Sequence, residues 1–194
     1  MTRTFYLALA LCLASLGVHA NDDIQSDNLF PVVQLETSMG TLLVELDRSR
    51  ARVTVDNFLR YVVSGHYDNT VFHRVVPGFV VQGGGFGHDY TPLEEGEPIV
   101  NESGNGLKNR QGTIAMARAN APHTATNQFY FNLDDNDGLD PGRRWGYAVF
   151  GEITEGQEVL EQMGQVPTDY LDAVGADTVP VEPLRLLKAT LLPE

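Results

Sequence analysis

Two polar side chains stand inside an apolar run. Residues 71–86 read V-F-H-R-V-V-P-G-F-V-V-Q-G-G-G-F, and the exceptions, besides His73, are Arg74 and Gln82. A guanidinium among apolar groups must be hydrogen-bonded or line a cleft, because burying it unpaired is too costly. Alone in a strand, it reads first as half of a structural ion pair. In a cleft it would be a permanently charged hydrogen-bond donor. The elements that hold it are short. Val71–Val76 is β-branched and aromatic and reads as a strand, Pro77-Gly78 as a turn, and Phe79–Gln82 as a second strand. Gly83, Gly84 and Gly85 follow, where the backbone must turn sharply or be closely approached. Unbroken alternation puts Phe72, Arg74 and Val76 on one face, with His73 and Val75 on the other.

Other chemistries find less support. The only cysteine is Cys12, inside an N-terminal stretch that reads as a cleaved leader. The remaining chain then has no thiolate nucleophile, thiolate metal site or disulfide. Ser38, Ser49, Ser64 and Ser103 lie in no G-x-S-x-G elbow, so a hydrolase is not indicated. Residues 87–110 carry Asp89, Glu94, Glu95, Glu97 and Glu102 in a Gly-, Asn- and Pro-containing stretch. Oxygen-rich loops suit hard cations, but no EF-hand spacing is present, and no metal site is assigned. The formal net charge of −13 should repel phosphate backbones, so nucleic acid is not an expected partner.

Residues 1–20 combine Arg3, an apolar stretch from Phe5 to Val18 and a small-residue site at Val18-His19-Ala20. This pattern predicts a signal peptide cleaved after Ala20. The apolar stretch is too short to span a membrane comfortably, and Leu11 before Cys12 argues against lipid attachment. Residues 21–28 read as a loose polar leader, and residues 29–194 as one domain. Within it, Pro31–Asp47 predicts a hairpin turning at Ser38-Met39-Gly40. Val53–Ser64 predicts a helix with Thr54 as N-cap and Val55, Phe58, Leu59 and Val62 on one face. His66 reads as an ordinary loop residue. Residues 87–110 predict a long surface loop with at most an edge strand. Thr113–Ala117, Gln128–Leu133, Trp145–Gly151 and Leu184–Leu191 predict strands. On the second of these, Phe129 and Phe131 share one face, Gln128 and Tyr130 the other. Thr154–Met163 predicts a helix with a Thr154/Gln157 capping box. Many short strands with two helices point to a mainly β barrel.

The run F-H-R-V-V-P-G-F-V-V-Q-G-G-G-F resembles the central signature of the cyclophilin family of peptidyl-prolyl cis-trans isomerases. Gly112–Arg118 (G-T-I-A-M-A-R), Asn127–Phe131 (N-Q-F-Y-F) and Gly146–Gly151 (G-Y-A-V-F-G) match further blocks in the same order. Several blocks in fixed order are far more specific than one short motif. The resemblance covers about Pro31 to the C-terminus and is strongest to the bacterial periplasmic branch. It implies a closed eight-stranded antiparallel barrel capped by two helices. It implies acceleration of Xaa-Pro rotation during folding of exported proteins, with no cofactor. Arg74 would be the catalytic donor, and Gln82 would orient the substrate backbone. Phe79, Met116, Phe129 and Leu139 would wall the proline pocket. Ala117 and the backbone at Arg118 would hold the residue before proline. Val80, Tyr130 and Tyr147 complete the substrate-binding set. His73 reads as a structural hydrogen-bonding residue, since isomerisation needs no general base. Partners would be proline-containing polypeptides met by a periplasmic monomer, with no membrane contact after leader cleavage. A non-catalytic proline-segment binding module on the same barrel is the alternative.

Departures from the family pattern are specific. Val80 stands where Met is frequent, and Tyr130 stands where Phe does, adding a hydroxyl. Tyr147 stands where many eukaryotic members have His. Gly138 replaces an aromatic residue, and Trp145 is the side chain that could partly fill the gap. The loss at Gly138 predicts weak binding of cyclosporin A.

Overall fold

A computed structural model describes residues 24–194. The predicted signal peptide and residues 21–23 lie outside the described residues. Fourteen elements follow in order. They are β1 (Val32–Thr37), β2 (Gly40–Leu46), α1 (Arg52–Val63), β3 (Thr70–Val71), β4 (Arg74–Val76), β5 (Val80–Gly83), β6 (Thr113–Met116), β7 (Phe129–Asn132), a 3-10 turn (Asp137–Leu139), β8 (Val149–Glu155), α2 (Gln157–Met163), β9 (Thr168–Leu171), β10 (Ala176–Pro180) and β11 (Arg185–Leu191).

Nine strands form one antiparallel sheet in the order β3-β11-β1-β2-β8-β6-β7-β5-β4. The sheet curls through 297° and does not close, so the expected closed eight-stranded barrel is corrected to an open one. The reason lies in one dipeptide. Phe72 and Val75 are both fully buried in the interior cluster. Residues three apart cannot share a face of one pleated strand. The chain therefore breaks at Phe72-His73, and the predicted Val71–Val76 strand becomes β3 and β4, the two edges of the sheet. Phe72 turns inward and does not share a face with Arg74. Its amide leaves the ladder and donates to the Leu184 carbonyl at 2.8 Å. The β9–β10 hairpin, which composition did not reveal because few of its side chains are fully buried, packs β10 beside β4. That covers an edge that would otherwise offer unpaired backbone groups.

Alternation fills the interior as the sequence pattern requires. Val33 and Leu35, then Leu42, Val44 and Leu46, face inward from β1 and β2; Ile114, Phe131 and Phe150 do so from β6, β7 and β8. Helix α1 adds Val55, Phe58, Leu59 and Val62, and α2 adds Leu160 and Met163. Phe58 meets Phe129 edge-on with centroids 5.3 Å apart, a favoured aromatic geometry.

The helix starts differ from the local reading. Thr54 lies inside α1, which follows Ala51 without a side-chain cap of its own. The cap comes from Glu102 in the 87–110 loop. Its carboxylate accepts from Val53 N at 3.2 Å, Thr54 N at 2.8 Å and Thr54 Oγ1 at 2.7 Å. A carboxylate over the first turn also complements the helix dipole. Thr154 belongs to β8, so the expected capping box is absent. Helix α2 follows Gly156, whose φ of +91° favours glycine, and a Cβ there would lie 2.3 Å from the Thr41 carbonyl oxygen.

The segment from Ile24 to Asn28 is not loose. Arg48, almost fully buried, donates to the carbonyls of Ile24 at 2.7 Å and Asn28 at 2.8 Å, and also to that of Gln25. Its Nε meets Asp56 at 2.8 Å. The 87–110 segment has no regular strand but is tethered by an Ile99–Ala125 bridge and by buried Asn101, Ser103 and Asn109.

Replacing Glu102 with Ala removes three hydrogen bonds that tie this loop to α1. The expected loss is about 1–2 kcal/mol of stability. Urea unfolding of wild type and Glu102→Ala at neutral pH measures it; an unchanged midpoint would show that the cap contributes nothing.

Candidate active site

The hairpin β4–β5 sets the first two residues. Arg74 and Gln82 are direct partners across it, and Gln82 pairs in turn with Tyr130 on β7. Arg74 Nη1 donates to Gln82 Oε1 at 3.3 Å. Gln82 Nε2 donates to Gln128 Oε1 at 2.9 Å. A three-residue polar relay thus runs across the outer face of the sheet. Arg74 makes no ion pair among the described residues, so the structural ion-pair reading does not hold. Its guanidinium carbon lies 5.8 Å from the Phe79 ring centroid.

Gln128 had no assigned role from the sequence. The signal was present, because strand alternation puts it on Tyr130's side. Its access to Gln82 depends on the glycine run. A Cβ at Gly85 would stand 2.7 Å from Gln128 Cδ, and one at Gly84, with φ of +84°, 2.7 Å from the Asn127 carbonyl oxygen.

Arg74, Phe79, Val80, Gln82, Ala117, Arg118, Tyr130, Leu139 and Tyr147 line one cavity of about 180 Å³. Two expected wall residues are not among them. Met116 and Phe129 face the barrel interior and are buried in the main core, because alternation sends their neighbours Ala117 and Tyr130 outward. A second apolar cluster of Val80, Ala115, Tyr130 and Val149, with Phe79, Leu107, Ala117, Leu139 and Tyr147 against it, backs the cavity.

The extra hydroxyl of Tyr130 does not make the wall polar. It donates to Asn109 Oδ1 at 2.7 Å behind the cavity. Burial, with the nearby Tyr147 phenol and Asp140 carboxylate adding to it, raises the phenol well above its ordinary range and keeps it neutral. Asn109, a residue without a sequence-level role, is therefore what makes tyrosine compatible with this position. Gly138 leaves an opening: a Cβ there would meet nothing within 4 Å. Trp145 meets His123 edge-on, with centroids 5.0 Å apart, and is half exposed.

His73 is buried beside Arg74, its ring 4.7 Å from the Phe86 centroid, and its Nδ1 has no hydrogen-bond partner. The ring packs at the break between β3 and β4, beside the Val71 backbone. His66 is not an ordinary loop residue either. It packs against Tyr61 and Tyr67, and its Nε2 is 3.3 Å from Asn127 Nδ2.

No serine, cysteine, histidine or carboxylate lines the cavity. The cavity sets the donors Arg74, Gln82 and Arg118 beside the apolar side chains of Phe79, Val80, Ala117 and Leu139. The cyclophilin type peptidyl-prolyl cis-trans isomerase/CLD family model matches residues 32–191. A peptidyl-prolyl cis-trans isomerase of Streptomyces antibioticus is 47% identical over 164 residues, covering 82% of this chain and 98% of its own. Peptidyl-prolyl cis-trans isomerase A of Dickeya dadantii is 45% identical over 161 residues, covering 82% of this chain and 84% of its own. A solved cyclophilin type isomerase of Cryptosporidium parvum, crystallised in the presence of the dipeptide Ala-Pro, superposes with a TM-score of 0.73 at 27% identity. It covers 84% of this chain and 99% of that one. The chain belongs to the cyclophilin-type peptidyl-prolyl cis-trans isomerases, and its activity is the cis-trans isomerisation of Xaa-Pro bonds.

His73 makes stability depend on pH. Burial first, and the neighbouring Arg74 charge second, lower its pKa from 6.5 to about 4, against a weaker upward pull from the Val71 backbone. The folded imidazole stays neutral while the unfolded one takes up a proton as pH falls below 6.5. The contribution is therefore complete above that value, is lost as pH drops toward 4, and levels off below it. The total is about 3 kcal/mol. Urea unfolding between pH 7 and pH 4 should show a flatter profile for His73→Gln than for wild type. Parallel profiles would remove His73 as the cause.

Proposed function

We propose that Arg74 accelerates rotation by binding the twisted amide better than either planar form. The observation that carries this is an arginine without a carboxylate partner, tethered by Gln82 at the edge of an apolar cavity. An Xaa-Pro amide resists rotation because its C–N bond has partial double-bond character, with a barrier of about 20 kcal/mol. At the twisted state conjugation is lost, the prolyl nitrogen becomes pyramidal and a lone pair appears on it. A donor aimed there, or at the prolyl carbonyl, interacts most strongly at that point, and only such differential binding lowers the barrier. Phe79, Val80, Leu139, Tyr130 and Tyr147 grip the ring and exclude water. Gln82 orients the substrate backbone. Ala117 and the backbone at Arg118 hold the residue before proline. The gripped ring fixes one side of the bond that turns.

The Gln82–Gln128 hydrogen bond supports a preorganised donor, since it fixes which Gln82 atom faces Arg74. The binding-module reading has one observation in its favour, the empty space at Gly138. That opening removes apolar contact at the cavity rim and weakens grip, but it touches neither Arg74 nor Gln82. We further propose that the protein works as a monomer outside the cytoplasm, in the periplasm, on exported polypeptides carrying accessible Xaa-Pro bonds. The basic residue, apolar stretch and small-residue site within residues 1–20 support that location.

NMR exchange of a short Xaa-Pro peptide tests the donor. Arg74→Ala should lower the catalysed exchange rate by about 10²–10³-fold while the peptide still binds. A variant that keeps wild-type exchange would remove Arg74 from the mechanism. Wild-type binding without exchange would make the protein a binding module. Cyclosporin A should bind weakly for want of an aromatic side chain at residue 138. Gly138→Trp should tighten that binding, and equal affinity of the two proteins would sink the explanation.

A further inference from the structure

The Leu139–Tyr147 segment leaves the cavity wall and returns to it. Both end residues line the cavity, and Tyr147 N donates to the Leu139 carbonyl at 2.9 Å, closing the loop at its base. Gly142 N donates to the Arg144 carbonyl at 3.0 Å, which makes the tip a turn. Arg118 locks this loop to the wall. Its Nε donates to the Gly146 carbonyl at 3.2 Å and its Nη2 to the Trp145 carbonyl at 2.7 Å, while the guanidinium carbon lies 4.5 Å from the Tyr147 ring centroid.

The charge on the loop is one-sided. Its single carboxylate, Asp140, turns back to accept from Asn109 N and Nδ2 and to pair with Lys108 at 3.3 Å. Arg143, Arg144 and Trp145 face solvent. The chain holds 26 acidic residues against 13 basic ones. Yet no carboxylate among the described residues forms an ion pair with Arg74, Arg118, Arg143 or Arg144. The cavity and residues 141–145 therefore carry positive charge on a strongly negative molecule, while Asp135 and Asp137, just before Leu139, are paired with Arg110. Beyond Arg118 the neighbouring hollow is lined by Glu95, which disfavours anions on that side.

We propose that residues 141–145 dock the acidic flank of a client polypeptide whose proline occupies the cavity. Arg143 and Arg144 pair with Asp or Glu side chains within a few residues of the proline, and Trp145 lies against the stretch between. This rests on the reading that the cavity holds the prolyl ring. It makes flank charge a determinant of which Xaa-Pro bonds are turned over.

Four peptides of equal length test it: one with two Asp before the proline, one with two Asp after it, one with Lys and one with Ser at those positions. Exchange is measured at about 10 mM salt, where screening reaches about 30 Å, and at about 1 M, where it reaches about 3 Å. At least one Asp peptide should show kcat/KM about two- to tenfold above the Ser peptide at low salt, with the Lys peptide below it. The advantage should vanish at high salt. The double variant Arg143→Gln/Arg144→Gln should lose it too, while turning over the Ser peptide as wild type does. The proposal is overturned if neither Asp peptide exceeds the Ser peptide, or if the advantage survives in the double variant. Failure of wild type to turn over the Ser peptide would sink the reading of the cavity, and this proposal with it.

Discussion

The constraint on which the site depends is steric. One pleated strand cannot send both Phe72 and Val75 into the same interior. The chain resolves the conflict by leaving the ladder for two residues, and Arg74 emerges on the outer face at the start of a new strand. Without that break the sheet could continue through residues 71–76, and either the phenylalanine or the arginine would be on the wrong side. The buried side chains thus fix where Arg74 meets the cavity. His73 occupies the break itself, which is why its ring is buried and why Nδ1 finds no partner.

Around Arg74 the polar groups are arranged in two short lines that do not compete. One runs Arg74–Gln82–Gln128 across the outer face. The other runs from Tyr130 through Asn109 to Asn132 and Thr113 behind the cavity. The second line satisfies the tyrosine hydroxyl out of reach of the cavity, so the wall stays apolar. The first leaves the guanidinium tethered by a neutral acceptor. A carboxylate in place of Gln82 would hold Arg74 more tightly, but it would offset the positive charge at the cavity.

Much of this was legible in the sequence because it follows from period and punctuation. The alternation in N-Q-F-Y-F put Tyr130 and Gln128 on one side and Phe129 and Phe131 on the other, and the structure has them there. Assigning Phe129 and Met116 to the cavity went against that alternation, and the interior position of both follows from it. Closure of the barrel was not legible, since it turns on where two buried side chains lie around a break. The cap on α1 was invisible for another reason. Glu102 reaches it from a distant loop, and a local reading can only choose among neighbours such as Thr54. The order in Ile24–Asn28 is of the same kind, produced by the buried guanidinium of Arg48.

The strand order has a consequence for how the chain becomes a folded protein. Strand β1 sits between β2 and β11, so the first strand of the sheet borders the last. A chain emerging end first from a ribosome or a membrane channel can form the β1–β2 hairpin early. Until residues 185–191 arrive, however, the other edge of β1 has no strand partner, and β3 keeps only its bridge from Thr70 to Gly87. The pairings of β11 with β1 and β3 are among the longest-range contacts of the sheet, the kind that form slowly. Before then, the incomplete sheet exposes the strand edges whose pairing with other chains leads to aggregation. An isomerase of Xaa-Pro bonds is thus itself a sheet whose first strand is completed by its last.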